Sequence, residues 1–250
     1  MFTVEQRDRV RDRVLAMARA DERVVSGAVV GGLAMGGGDR WSDLDLTFGL
    51  AEGVPLADVL EDWSAEVVRD FGAVHLFDLP FRSSTYRVFL LPGCLQVDMS
   101  FTPSAEFGPT GPRFKLLFGQ ATERPQVLPA PARQRLGLAA HHAVRARFCI
   151  ERGRLWQAQY WIGELRDEAL ALACQRRGFD PSLGRGYDQL PNEVLSEFED
   201  TLVGQIERAE LLRALRSAIG GLLRESAEAP DLAAESGPAC ASCPPPERLS

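Results

Sequence analysis

The spacing of apolar residues changes midway along this chain of 250 residues, and the change limits the folds open to it. Up to about residue 101, short runs rich in Val, Leu and Phe alternate with amphipathic segments, which is typical of strands mixed with helices. From about residue 132, apolar residues recur every three or four positions, as they do along one face of a helix. The sequence therefore predicts an α+β fold, with a small mixed sheet followed by an α-helical bundle.

The individual elements follow from the same two periodicities. In the first part, helices are predicted over residues 3–20 and 55–71, and strands over 24–30, 43–50, 73–79, 85–91 and 95–101. In the second part, helices are predicted over residues 133–151, 155–177, about 190–200 and 203–226.

Prolines divide the chain between the two patterns, at Pro103, Pro109, Pro112, Pro125, Pro129 and Pro131. Proline interrupts regular structure, so this stretch reads as a connector. We expect a first domain over residues 1–102, a connector with one short strand over 103–131, and a helical bundle that binds substrate over 132–226. Residues 227–250 have the composition of a disordered tail.

Composition and charge exclude several classes of protein. Hydrophobic residues make up 45% and charged residues 25% of the chain, as in ordinary globular proteins. No uncharged apolar stretch is long enough to span a membrane, and the first residues are too charged for a signal peptide, so we expect a cytoplasmic protein. A net charge of −7 makes nucleic acid an improbable partner, because phosphate attracts basic surfaces.

Three acidic residues indicate a metal site. Asp43 and Asp45 lie two positions apart on a predicted strand, so both point to the same face. Two neighbouring carboxylates repel each other unless a cation lies between them, and Mg²⁺ suits an all-oxygen site that also uses substrate phosphates. Asp98 lies in a later strand, and the 53 residues that separate it from Asp45 allow that strand to return beside the first.

Two glycines indicate an anion site next to these acids. Gly31 and Gly32 end the strand that precedes Asp43, where backbone N–H groups can approach a ligand without obstruction by side chains. Adjacent phosphate and metal sites point to a nucleotide that binds as its metal complex. Three converging carboxylates also suit phosphoryl transfer with two metal ions.

The pattern of Gly31-Gly32, ten residues and Asp43-x-Asp45 resembles the polymerase-beta-like nucleotidyltransferase superfamily. The order of strand, Gly-Gly turn, Asp-Leu-Asp, helix, two strands and a third Asp also matches, over about residues 20–102. The helical part resembles the C-terminal domain of antibiotic nucleotidyltransferases of the kanamycin and lincosamide type. That second resemblance depends on His141-His142, Arg147, Gly153, Gln157, Tyr160 and Arg166-Asp167.

The resemblance implies transfer of a nucleoside monophosphate, AMP from ATP or the equivalent from another nucleoside triphosphate, to a hydroxyl of a small molecule. An aminoglycoside or lincosamide antibiotic is the expected acceptor, and an acidic chain suits a cationic one. Asp43 and Asp45 would bind Mg²⁺, and Asp98 would act as a third ligand or as the general base. Gly31, Gly32 and Ser42 would bind the nucleotide. The oligomeric state stays open, a homodimer included.

Two departures from the family pattern leave alternatives open. The family often has Ser where this chain has Gly32, and Arg where it has Met35. Arg40 or Lys115 could supply the missing positive charge. The alternatives are an enzyme that nucleotidylates a protein or RNA, as an antitoxin-like member would, and a catalytically inactive module that binds nucleotide.

The helical part adds further candidates, each with a structural alternative. Trp156 and Tyr160 share a helix face and could line an acceptor cleft or belong to the core, with Trp161 beside them. Glu164 or Asp167 could supply a base or form a local ion pair. His141 and His142 point about 100° apart on a helix, so joint metal binding is disfavoured. Arg135 with His141 has the loose spacing of helical RNase toxins of the HEPN type, which chance can also produce.

Overall fold

The computed structural model describes residues 1–36 and 38–227 and confirms the α+β class. The chain divides after Val127 into two compact units. The tail predicted over residues 227–250 lies outside the described residues, apart from Ala227, which ends the last helix. None of the described helices combines the length and the apolar character needed to cross a membrane.

The first unit holds two helices and six strands: α1 (Val4–Ala20), β1 (Val24–Val30), β2 (Leu44–Leu50), α2 (Leu56–Phe71), β3 (Val74–Phe81), β4 (Ser84–Leu91), β5 (Leu95–Pro103) and β6 (Phe114–Phe118). A 3-10 turn follows β1 directly, over Gly31–Met35. The strands form one sheet in the order β3-β4-β5-β2-β1-β6. Only β2 and β5 pair in parallel among the described strands, and the other neighbours are antiparallel, so the sheet is mixed as predicted.

The two faces of the sheet differ in character. Alternation along β2 places Leu44, Leu46 and Phe48 on one face, all at most 1% exposed, and Asp45 on the other. The apolar face belongs to a core that includes residues of both α1 and α2, with the rings of Phe48, Trp63 and Phe101 in mutual contact. Burial of this face orients β2, and the carboxylate of Asp45 therefore points away from the core.

The short strand expected in the proline-rich stretch is part of the sheet. Phe114–Phe118 pairs antiparallel with β1, and Phe118 lies opposite Gly27. A Cβ on Gly27 would collide with the Phe118 ring, so the glycine is needed for this close approach. The first unit therefore includes β6 and extends to Val127, beyond the boundary near residue 102 that the sequence suggests.

The two hairpins at the other end of the sheet differ in how clearly the sequence predicts them. The predicted turn at Pro92–Cys94 joins β4 to β5, with Leu91 opposite Leu95. A second, tighter hairpin joins β3 to β4 through Arg82 and Ser83, and Arg82 has a φ of 56° without being glycine. All eight residues of β3 are exposed, which agrees with its place at the edge of the sheet.

The second unit is helical, with α3 (Ala132–Glu151), α4 (Leu155–Arg176), α5 (Asn192–Glu199) and α6 (Arg208–Ala227). Its core draws on α3, α4 and α6, which pack against one another. α6 begins five residues later than residue 203, where the sequence predicts its start. The segment before α6 is held as a loop by side chains of α6: Glu210 accepts the N–H of Gly204 at 3.0 Å, and the Arg213 guanidinium donates to the carbonyl oxygens of Asp200 and Leu202.

We predict that Asp21 stabilises the first unit through one buried donor. Its carboxylate accepts the indole N–H of the buried Trp63 at 2.8 Å and pairs with Arg23. Asp21→Ala leaves that indole unpaired, so chemical denaturation should show a loss of about 1–3 kcal/mol in the free energy of unfolding. The control is Asp62→Ala, because Asp62 also pairs with Arg23 but is exposed; its cost should stay below about 1 kcal/mol.

The same interaction has a pH dependence. The hydrogen bonds and ion pair from Arg23, followed by the Trp63 bond, lower the pKa of Asp21 from 3.8 to about 2. A lowered pKa means that the folded state favours the ionised form, so the contribution is complete above pH 3.8 and is lost as the pH falls through about 2. Equal costs for the two variants, or a difference between them that does not shrink in acid, would contradict this role.

Candidate functional site

Two of the three predicted acids face each other across neighbouring strands. In the parallel pairing of β2 with β5, Asp45 lies opposite Asp98, and the next pair on that face is Thr47 opposite Ser100. All four side chains lie on the face of the sheet that the apolar core leaves free, because side chains alternate along a strand. The register of a single strand pair thus brings together carboxylates that are 53 residues apart in sequence.

Asp43 is near this pair but outside the strand. It directly precedes β2, is exposed, and by its spacing lies on the same side as Asp45. Burial is the main cause that raises the pKa of Asp98 above its usual value, and the charge of Asp43 raises it further. The side-chain amide of Gln96 donates to Asp98 Oδ1 at 3.0 Å and acts in the opposite direction. Asp98 is therefore a carboxylate that binds a proton more readily than an exposed one does.

The two glycines have different surroundings. Gly31 has a φ of 69°, and a Cβ at this position would collide with Asp45 Oδ2, so only glycine fits against that carboxylate. Its N–H donates to the carbonyl oxygen of Arg113 at 3.2 Å. Gly32 is exposed, and a Cβ there would lie 3.9 Å from Ser42 Oγ, its nearest neighbour. Gly31 thus makes room for the carboxylate, and Gly32 leaves open space in front of the backbone.

Ser42 makes its hydrogen bonds within its own loop. Its Oγ accepts the N–H of Asp39 at 2.9 Å and donates to Asp39 Oδ1 at 3.0 Å. The same carboxylate oxygen accepts the N–H of Trp41 at 2.8 Å. The bonds from Trp41 and Ser42 lower the pKa of Asp39, so the carboxylate stays ionised and holds the turn closed. The hydroxyl of Ser42 would have to keep these bonds while it binds a nucleotide. Nucleotide binding by Ser42 stays a prediction.

Hydroxyl groups continue the polar face beyond the acids. Ser100 Oγ donates to Thr47 Oγ1 at 2.8 Å, and Tyr86 lies opposite Ser100 on β4. Burial raises the pKa of Tyr86, the positive charge of Arg124 and a hydrogen bond with Ser100 lower it, and the charge of Asp45 raises it. Arg124, in the segment that follows β6, lies near enough to Tyr86 for its charge to act on the pKa of that residue, and its guanidinium is 3.8 Å from the carboxylate of Glu106.

The donors on this face fit a magnesium ion that binds together with phosphate. Among residues 1–36 and 38–227, no group of three or more His, Cys, Asp or Glu side chains is arranged to hold a metal. Mg²⁺ does not require such a cage, because it keeps several waters and uses one or two carboxylates with substrate phosphates. Asp45 and Asp98 supply two carboxylates in register, and Gly31 keeps the side chain of its position out of their way.

The residues suggested as substitutes for a missing positive charge lie outside the two strands that carry Asp45 and Asp98. Lys115 pairs with Val29 on β1, so it belongs to the face of Leu46 and not to that of Asp45. The guanidinium of Arg40 stacks on the Trp41 ring at 4.2 Å, in the loop before Asp43. Met35 is 66% exposed at the end of the 3-10 turn. Of these residues, Arg40 is the one in the loop that leads to the acids.

The histidine rings of the helical unit lie next to each other, with centroids 5.8 Å apart, and both are near the Trp161 ring, but they differ in exposure. His142 is buried on α3 against Trp161, with ring centroids 5.2 Å apart, whereas His141 is exposed. Arg135 pairs with Glu168 at 2.9 Å. Arg135 and His141 lie six residues apart, a separation that turns about 240° around a helix and does not place them on one face. The spacing typical of the RNase toxins therefore does not build a common site.

The other candidates on α4 lie mainly at the surface. Trp156 is 77% and Tyr160 55% exposed, so the prediction that they belong to the core is wrong and a cleft-lining role stays a prediction. Asp167 pairs with the neighbouring Arg166 at 3.3 Å, as the structural alternative expects. Glu164 is half-buried.

Arg7 and Tyr86 are the residues of this region that the sequence pattern does not single out. Arg7 is 4% exposed and continues the buried stripe of Val10 and Val14 by one turn of α1. The available signal for Arg7 was an arginine in line with an apolar helix face. A charge that the helix buries needs hydrogen-bond partners, so such a residue points to a contact with another segment. Tyr86 carries no such signal, because a tyrosine in an apolar strand is ordinary.

Comparisons with known proteins give similarity in structure only. No protein-family model matches the sequence, and no curated protein matches it. An aminoglycoside 6-adenyltransferase from Bacillus subtilis is similar over 94% of this chain and 92% of its own, with a TM-score of 0.40 and 14% identity. A CdnE cyclic dinucleotide synthase from Elizabethkingia meningoseptica, solved with GTP and Apcpp, is similar over 87% of this chain and 89% of its own, with a TM-score of 0.32 and 13% identity.

TM-scores and identities this low carry no conclusion about activity or substrate. The functional proposal therefore depends on the residues of the site.

The two glycines provide a matched pair of variants. Gly31→Ala should lower thermal stability and weaken binding of the Mg²⁺–nucleoside triphosphate complex, because the positive φ costs about 1–2 kcal/mol and the methyl group displaces Asp45. Gly32→Ala adds the same methyl group at ordinary contact distance and should change both far less. Calorimetric titration with a non-hydrolysable triphosphate and a thermal melt measure the two effects. Equal behaviour of the two variants would mean that the Gly31 contact with Asp45 has no role.

Proposed function

We propose that this protein is a Mg²⁺-dependent nucleotidyltransferase, which moves a nucleoside monophosphate from a nucleoside triphosphate to a hydroxyl of a small molecule. The observation that carries the proposal is the pair of Asp45 and Asp98, in register on parallel strands, with Gly31 packed against Asp45. The pairing brings two half-buried carboxylates together, and such a set of oxygen donors suits a divalent cation.

In this proposal, Asp45 and Asp98 hold the metal, and Asp43 adds a third carboxylate from the end of the preceding loop. Bound there, Mg²⁺ would neutralise phosphate charge and make the acceptor hydroxyl more acidic. The open backbone at Gly32 receives a phosphate group.

Asp98 has the properties of the proton acceptor. Its Oδ1 already accepts the amide of Gln96, which orients the group and leaves Oδ2 for a substrate. In the metal-free protein, burial and the charge of Asp43 raise the pKa of Asp98, which favours proton uptake, and a bound Mg²⁺ would act in the opposite direction. The acceptor hydroxyl would lose its proton to Asp98 as its oxygen attacks the α-phosphorus, and pyrophosphate would leave.

The proposed donor is ATP and the proposed acceptor is a cationic antibiotic of the aminoglycoside or lincosamide class. Support for a cationic acceptor comes from the net charge of −7 and from the clustering of acids on one face of the sheet. The cytoplasm is the proposed location.

Replacement of each acid by its amide tests this assignment. Asp45→Asn and Asp98→Asn keep the side-chain shape but remove the charge, so each should reduce pyrophosphate release by about 10²-fold or more. Asp78→Asn is the control, because Asp78 is an acid of the same sheet whose charge is already paired with Arg87. The assay combines each of the four nucleoside triphosphates with a panel of aminoglycosides and lincosamides.

The same assay separates the alternatives. Transfer of labelled nucleotide to protein or RNA, with none to the small molecules, would favour a macromolecular acceptor. Nucleotide binding without pyrophosphate release under any condition would identify an inactive module. Full activity of both amide variants would show that the reaction, if any, takes place elsewhere.

A further inference from the structure

The loop that leads to Asp43 is fastened to the first helix by one buried side chain. Arg7 Nη1 donates to the carbonyl oxygen of Asp39 at 2.6 Å and to that of Ser42 at 3.1 Å. These two carbonyls lie at the two ends of the turn that Asp39 closes through Ser42 and Trp41. A single guanidinium therefore spans the whole turn.

The energetic cost of this arrangement argues that the contact matters. The Arg7 side chain is 5% exposed, and among the described residues its one ion pair is with Asp8, at 3.8 Å and on the same helix, while its buried Nε has no hydrogen-bond partner there. An arginine that is removed from water without a close ion pair is unfavourable unless it makes strong hydrogen bonds. Here those bonds go to backbone carbonyls of the loop, and bonds from a charged donor are about twice as strong as neutral ones.

The turn held by Arg7 directly precedes Asp43, so these hydrogen bonds bear on the position of that residue. Ser42, the last residue that Arg7 holds, is bonded directly to Asp43, and β2 begins one residue later. Asp43 lies outside the strand and is exposed, so the sheet ladder does not fix it from the N-terminal side. We propose that Arg7 is a positioning residue, which holds the Asp39–Ser42 turn and thereby places the Asp43 carboxylate next to Asp45 and Asp98. This inference rests on the proposed function, because it concerns the metal-binding role of Asp43.

Trp41 provides a reporter that is independent of activity. Trp41 is 57% exposed, its backbone N–H donates to Asp39 Oδ1, and the Arg40 guanidinium stacks on its ring. If Arg7 no longer holds the turn, the ring gains motion and access to solvent. The fluorescence of Trp41 is obtained as the difference between each protein and the same protein with Trp41→Phe, which removes the signal of the other three tryptophans.

The experiment compares Arg7→Met, Arg7→Lys and the control Arg11→Met. Arg11 lies one turn further along α1 and pairs with Asp8 and Asp12 at the surface, so its loss leaves the turn untouched. Arg7→Met should lower the anisotropy of Trp41 and raise its quenching by acrylamide. It should also raise the Mg²⁺ concentration for half-maximal pyrophosphate release about 10-fold or more, while turnover at saturating Mg²⁺ changes much less.

Arg7→Lys keeps a charged donor and should recover part of both effects, and Arg11→Met should match the unmodified protein. Unchanged Trp41 fluorescence together with unchanged Mg²⁺ dependence in Arg7→Met would overturn the proposal. A loss of turnover at saturating Mg²⁺ without a change in Mg²⁺ dependence would also overturn it, because that result indicates a general structural role.

Two further outcomes distinguish a failure of this inference from a failure to fold and from a failure of the proposed function. If Arg7→Met does not fold by circular dichroism, Arg7→Lys decides the question, because its ammonium replaces Nη1 at the end of a shorter side chain; smaller changes of the same sign are expected, and values equal to those of the unmodified protein would overturn the proposal. If the unmodified protein releases no pyrophosphate, the proposed function fails, and the effect of Arg7 on Mn²⁺ binding, followed by electron paramagnetic resonance, then tests the placement of Asp43 directly. Identical Mn²⁺ affinity in Arg7→Met and the unmodified protein would overturn the inference.

Discussion

The parallel pairing of β2 with β5 is the interaction on which the rest of the first unit depends. It places Asp45 opposite Asp98 on one face and Leu46 opposite Met99 on the other. A shift of the register by one residue would turn an acid into the apolar core, so burial of Leu46 and Met99 also determines where the carboxylates point. The same free energy that stabilises the sheet therefore assembles the site.

Ionised Asp98 has an electrostatic cost in the folded protein. Burial and the nearby charge of Asp43 both disfavour ionised Asp98, and the Gln96 amide compensates only in part. Sites that tolerate such a conflict are commonly functional, because a ligand that binds to the folded state removes the conflict. A divalent cation with a bound triphosphate is the ligand whose charge and oxygen preference suit this surface.

Much of the first unit could be predicted from the sequence, because local pattern and tertiary burial agree there. Alternation in β2, the valine run of β1 and the turn at Pro92–Cys94 are local signals, and the structure contains all three. The joint position of Asp45 and Asp98 also followed from element order. The register that puts them directly opposite did not, because it depends on contacts between residues distant in sequence.

The remaining differences have the same physical origin. β6 lies among prolines, and its place in the sheet depends on the absence of a side chain at Gly27. The start of α6 depends on Glu210 and Arg213, which bind backbone groups of the preceding segment, among them the N–H of Gly204, a residue that helical periodicity assigns to the helix. Arg7 fits an apolar stripe by position but not by type, and only the loop carbonyls explain it. In each case one long-range contact prevails over the local pattern.

The most direct test of the central claim is to locate the metal. Crystals of the protein grown with Mn²⁺ and a non-hydrolysable nucleoside triphosphate would show the ion by its anomalous scattering. The proposal predicts an anomalous peak within coordination distance of one carboxylate oxygen of Asp45 and one of Asp98, in contact with phosphate oxygens of the nucleotide. A nucleotide bound with its metal away from both carboxylates would contradict it.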